Sequence, residues 1–136
     1  MHTRYWDEVR DAGNFTKSII FDPTTFGGDG VGSKKCVANG PFANYTLHLG
    51  PGHAITNHCL TRSISNTASL ESAQSKLDAC YAIDDFEEAW VCMEASPHRG
   101  GHGGTGGEVS YIYLATKRKE LTYCCTDVES NFESWR

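Results

Sequence analysis

The stretch from Tyr5 to about Gly52 sets the strongest limit on what this chain can become. "FDPTTFGGDGVGSKKCVANGPF" is dense in Gly, Pro, Asp and Asn, the residues turns use for their dihedral freedom or their capping side chains. Regular structure is therefore expected to be sparse throughout the segment. A loop of this length is uncommon inside a compact domain unless it is functional or tied down, and Cys36 with Cys59 could do the tying. Within it, "YTLHLG" alternates apolar and polar residues, which predicts a short strand with Tyr45, Leu47 and Leu49 on one face and His48 on the other.

A length of 136 residues suits one domain with a real core. Hydrophobic content of 39% and charged content of 21% are those of a soluble globular chain, and no apolar run approaches the roughly 20 residues that span a bilayer, so no membrane partner is expected. With a net charge of −5, and with the basic residues of "ATKRKE" forming a single short cluster, nucleic acid is not an expected partner either. Six cysteines in so short a chain point to an oxidising compartment. The triplets Asn14-Phe15-Thr16 and Asn44-Tyr45-Thr46 are glycosylation sequons and agree with that reading. "MHTRYWDEVRD", however, has no apolar core of a signal peptide. Either the chain is intracellular or its natural beginning is missing.

Beyond Arg62 the pattern becomes helical. "NTASLESAQSKLDACYAIDDFEEAWVCME" reads as two helices, with Leu70, Ala73, Leu77 and Cys80 along one face of the first. Phe86, Ala89, Trp90 and Met93 mark the apolar side of the second, and Asp84 or Asp85 is its expected cap. Cys80 and Cys92 flank the intervening turn and could close a small loop. Pro97 suits the first turn of a further short helix carrying His98 and His102, and "LTYCCTDVESNFESWR" could form a last amphipathic helix.

His98 and His102 stand four apart among six glycines in "SPHRGGHGGTGGEV". That spacing puts both imidazoles on one helical face, close enough to grip a single metal ion. Spacing alone is a weak signal, because the same glycines would equally suit a flexible exit loop with solvent-facing histidines.

The order of longer motifs decides more. "YWDEVRDAGNFTKSIIFDPTTFGGDG", "CVANGPFANYTLHLGPGHAITNHCLTR" and "LDACYAIDDFEEAWVCMEASPHRGGHGGTGGEVSYIY" together resemble the fungal-type tyrosinase family of type-3 dicopper phenol oxidases, from Tyr5 to Tyr113. The resemblance implies a mainly α fold, a partial tyrosinase-like helical bundle with long, disulfide-tied loops. It divides the chain into a loop-rich covering segment (1–62), helices with the second-copper H-x-x-x-H (63–113) and a divergent tail (114–136). It implies copper as cofactor, phenols or o-diphenols with dioxygen as substrates, and secretion of the full-length protein. His98 and His102 would be two ligands of the second copper, since neutral imidazoles suit copper in both oxidation states. Chain order and family likeness also suggest Cys36–Cys59 and Cys80–Cys92 pairs, although sequence leaves the connectivity open. His48, His53 and His58 fall in the covering segment and are read as hydrogen-bonding loop residues. Arg99, beside the first ligand, is expected near the substrate.

Other parts of the family pattern are not met. The first copper's ligands lie upstream of the segment that "RYWDE" resembles, and His2 is too near Tyr5-Trp6 to replace one. The third ligand of the second copper falls, by length, at Cys124-Cys125. The expectation is a tyrosinase-like copper-binding oxidoreductase domain, or alternatively a truncated or degenerate non-catalytic relative serving as a structural or binding module. On either reading, the chain alone should lack activity and expose apolar surface around Phe86 and Trp90, favouring self-association.

Overall fold

The structure, a computed structural model, describes residues 5–50 and 54–110. Expectations for His2, His53, Cys124, Cys125 and the tail helix lie outside the described residues. Among the described residues, five short α-helices carry the fold: α1 (Glu8–Asp11), α2 (Asn66–Ser69), α3 (Gln74–Tyr81), α4 (Phe86–Met93) and α5 (Arg99–Thr105). Two antiparallel ribbons of two-residue strands complete it: β1 (Gly30–Val31) with β2 (Cys36–Val37), and β3 (Thr46–Leu47) with β4 (His58–Cys59). The mainly helical class and the loop-rich first half are as the sequence implied.

The loops hold their shape through side chains that satisfy backbone groups. Asp7 caps α1 by accepting from the Arg10 amide at 3.2 Å, and Asp22 accepts from the Thr24 amide at 2.8 Å to set the next turn. Asp11 receives the Trp6 indole N–H at 2.9 Å as well as the Ser18 hydroxyl, which fixes Trp6 over the core. That core is an aromatic cluster: Trp6 lies 4.6 Å from Phe15 and 5.4 Å from Phe21, centroid to centroid, and Phe15 is fully buried.

Arg62 ties the glycine-rich turn to this cluster. The residue is 8% exposed, and its guanidinium donates to the carbonyls of Phe26, Gly27 and Gly28 and lies 5.1 Å from the centre of the Phe21 ring. Burial holds its pKa below the ordinary arginine value, against the opposing charge of Asp29. Nearby, Cys36 and Cys59 are joined by a disulfide that bridges β2 to β4, so the two ribbons are stapled together. Cys80–Cys92 joins α3 to α4, with Cys80 1% exposed.

The strand over Tyr45 to Leu49 is shorter than the alternation predicts, and both Tyr45 and Leu49 are exposed. Its pairing partner is only two residues long, so the ladder ends there. The first predicted helix is also interrupted: α2 passes through a tight 3-10 turn, Leu70–Ser72, and Ala73 is extended at ψ 153° before α3 begins. Small residues govern this region: Ser69 and Ser72 are buried whereas Leu70 is half exposed. They admit α5 at close range, and its glycines would collide with anything larger.

The helix after Asp85, which caps α4 by accepting from the Glu88 amide at 2.9 Å, differs from expectation in the other direction. Pro97 does not start a new helix. The chain runs from α4 through a wide π turn, Glu94–His98, directly into α5. A π turn already relaxes the regular hydrogen-bond ladder, so it takes a residue that has no N–H to give.

Candidate metal centre

The continuous rod of α4, the π turn and α5 presents His98 and His102 one turn apart. Their Nε2 atoms are 3.0 Å from each other and the ring centroids 4.6 Å. Two metal–nitrogen bonds of ~2.0 Å meeting at roughly a right angle would span about that distance. The Nδ1 of His102 donates to the Val109 carbonyl at 2.7 Å. A carbonyl can only accept, so the proton is on Nδ1 and the Nε2 lone pair is left for another partner, the usual arrangement behind a metal-ligating imidazole. Val109 is itself placed by the turn after α5, where the Ser110 hydroxyl donates to the His102 carbonyl at 2.9 Å.

The glycines around the pair have steric work to do. A Cβ on Gly100 would stand 2.1 Å from the Ser72 hydroxyl oxygen, one on Gly101 2.6 Å from Glu8 Oε2, and one on Gly104 2.5 Å from Phe15 Cε2. Gly106 and Gly107, at φ +65° and +59°, turn the chain back so closely that a Cβ would meet the Ser63 and Thr61 carbonyls at 2.2 Å. The stretch is a close-packed helix and its exit turn, not a loose linker.

Two further side chains shape the site. Trp6 and Glu8 line a cleft of about 210 Å³ together with His98, Gly101, His102, Thr105 and Val109. Glu8 Oε2 accepts from the Ser72 hydroxyl at 3.1 Å, and that hydroxyl also lies 3.2 Å from the Pro97 carbonyl. Burial raises the Glu8 pKa above the ordinary glutamate value, while the Ser72 hydrogen bond and the charges of His98 and His102 pull the other way. Neither Glu8 nor Ser72 stands out in the sequence pattern; Glu8 is one of two adjacent acidic residues in "RYWDE", 90 positions before His98.

Of the covering-segment histidines, His48 and His58 hydrogen-bond as expected, although His58 lies in β4 and not in a loop: His48 Nδ1 lies 2.7 Å from Asn57 Oδ1, and His58 Nδ1 3.0 Å from the Thr56 carbonyl. His58 Nε2 faces Glu108 at 3.4 Å, on the wall of a separate cleft of about 600 Å³. Arg99 is half-buried on the Glu71 side of the rod. Among the described residues, no group of three or more His, Cys, Asp or Glu side chains is gathered tightly enough to hold a metal. The donor set in view is the two imidazoles.

The described residues thus form a helical, disulfide-tied domain with two imidazoles paired on a glycine-rich helix. The profile of the family described as "Common central domain of tyrosinase" matches residues 2–117, and the chain belongs to that family. It is 36% identical over 74 residues to the tyrosinase-like protein phomQ2 of Diaporthe leptostromiformis, covering 48% of this chain and 19% of the relative. The match to phomQ1 of the same organism is 40% over 73 residues, covering 43% and 19%. Oxidase hkm6 of Aspergillus hancockii is 25% identical over 179 residues, covering 97% of this chain and 63% of the relative. The chain thus spans about a fifth of the first two relatives' length. Copper is the metal that the family implies.

Proposed function

We propose that this chain supplies one imidazole jaw, His98 and His102, of a tyrosinase-type copper centre that oxidises phenols or o-diphenols with dioxygen. The observation that carries the reading is the 3.0 Å approach of the two Nε2 atoms, with the His102 proton held on Nδ1 by the Val109 carbonyl. When bound, copper supplies the electron exchange with dioxygen that this oxidation requires. The chain's own residues orient the imidazoles and wall the cleft: Val109 fixes the tautomer, and Trp6 and Thr105 bound the space where a small phenolic ring would approach. The two disulfides support a secreted parent protein. No helix among the described residues is long and apolar enough to cross a membrane.

Copper(II) titration of the purified chain, followed by electron paramagnetic resonance, tests the assignment. Nitrogen hyperfine structure that disappears in His98→Ala is expected; unchanged metal content in that variant would remove it. A second reading, a non-catalytic scaffold of the same family, is favoured by the two-imidazole donor set among the described residues, because two neutral nitrogens hold copper only loosely. Copper binding separates the two readings, since the first requires it and the scaffold does not; catechol oxidation by the copper-loaded chain is a check on both. Turnover at an ordinary enzymatic rate would show that the chain assembles a whole centre by itself, whereas copper binding without turnover is expected.

A further inference from the structure

Glu8 belongs to α1 and reaches across the fold to the helix that carries the imidazoles. It lines the cleft that contains both His98 and His102, and also a neighbouring one bounded by Ser72, Pro97 and His98. Space for it is built into the sequence at two points. Gly101, lying between the two histidines, has no side chain where a Cβ would come within 2.6 Å of one Glu8 oxygen and 2.8 Å of the other. Ser72, 2% exposed, donates to Oε2 at 3.1 Å and so aims the carboxylate. A half-buried carboxylate held in this way is a costly arrangement unless a positive charge compensates it.

We propose that Glu8 is a positioning residue of the His98–His102 site, whose carboxylate raises the pair's affinity for a divalent cation without binding that cation itself. The inference rests on the copper reading above and adds to it a charge supplied from the opposite wall. Two neutral imidazoles bring no negative charge to a cation, so an adjacent half-buried anion is the side chain that offsets the loss of hydration. Gly101 and Ser72 then have one shared function, keeping the carboxylate near but outside the imidazole pair.

The test is copper(II) titration of the intact chain and of Glu8→Gln, by calorimetry and electron paramagnetic resonance. The amide keeps an acceptor for Ser72 and removes only the charge. Affinity is expected to fall about tenfold, the lower end of the range for groups surrounding metal ligands, with the nitrogen hyperfine pattern unchanged. Equal affinity in Glu8→Gln, with binding lost in His98→Ala, overturns the role of Glu8 and leaves the imidazole pair standing. A changed hyperfine pattern in Glu8→Gln also overturns it, because Glu8 would then be a ligand. If neither variant alters binding, the imidazole reading itself fails. Should Glu8→Gln not fold, Ser72→Ala keeps the charge and releases its tether; a smaller loss of affinity is expected, and none overturns the proposal.

Discussion

Gly104 lies directly against Phe15: a methyl group on its α-carbon would stand 2.5 Å from Cε2 of the ring and 2.8 Å from the Ser69 Cβ. Neither neighbour can retreat, since both are fully buried. Gly104→Ala is therefore expected to destabilise the chain by about 2 kcal/mol through overpacking, despite alanine's better helix propensity. Gly103→Ala is the control, because there a Cβ meets only the Ala68 Cβ at 3.4 Å. It should be neutral or stabilising by up to about 1 kcal/mol. Urea unfolding of the two variants side by side checks the opposite signs.

Arg62 serves three carbonyls of the Phe26–Gly28 turn at once. Arg62→Met leaves the Gly27 carbonyl buried and unpaired and takes a donor from the part-buried Phe26 and Gly28 carbonyls, with an expected loss of about 3 kcal/mol. Arg62→Lys keeps the charge but not the flat fork of donors, and should recover only part of that loss. Thermal melting of both variants measures the difference.

Asp11 is held at a pKa of about 2, chiefly by the hydrogen bond from Arg10, then by those from Ser18 and Trp6. A carboxylate depressed in the folded state adds stability above its unfolded pKa of about 3.9, and that stability drains away as pH falls towards 2. The urea midpoint should drop between pH 4 and pH 2, and Asp11→Asn should flatten that part of the profile. An identical profile in the variant would show that other carboxylates govern acid unfolding.

Phe86 is 77% exposed and stacks on Trp90, itself 56% exposed, with Tyr81 and Val91 also exposed on these helices. Self-association through this face is the expected consequence. Sedimentation velocity should show a concentration-dependent increase for the natural chain that Trp90→Glu abolishes. A monomer at every concentration would mean that the face is harmless in water.

Much of the arrangement could be read from the residues alone. Turn chemistry announced the loop-rich first half, and the one-turn spacing of His98 and His102 put them on a common face. The sequon and cysteine pattern agreed with the oxidised pairs Cys36–Cys59 and Cys80–Cys92. What stayed hidden depends on contacts between distant residues. Nothing in the pattern around Leu70 reveals that buried serines outrank it, because the reason is the glycine face of α5, some 30 residues on. Glu8 and Ser72 are 64 positions apart and meet only when α1 is laid across the rod. Pro97 misled for a local reason: a proline that ordinarily opens a helix is absorbed here by the π turn.

The wide turn also sets the phase of everything after it. One residue fewer between Glu94 and His98 would restore a regular helix and rotate the following side chains by roughly 100° about the axis. The rod would keep its length and its anchoring at Cys92, yet its two imidazoles would point away from α1. A deletion of a single codon would in this way turn away from the core both the grip and the glycine face that lets α5 lie against Phe15 and Ser72.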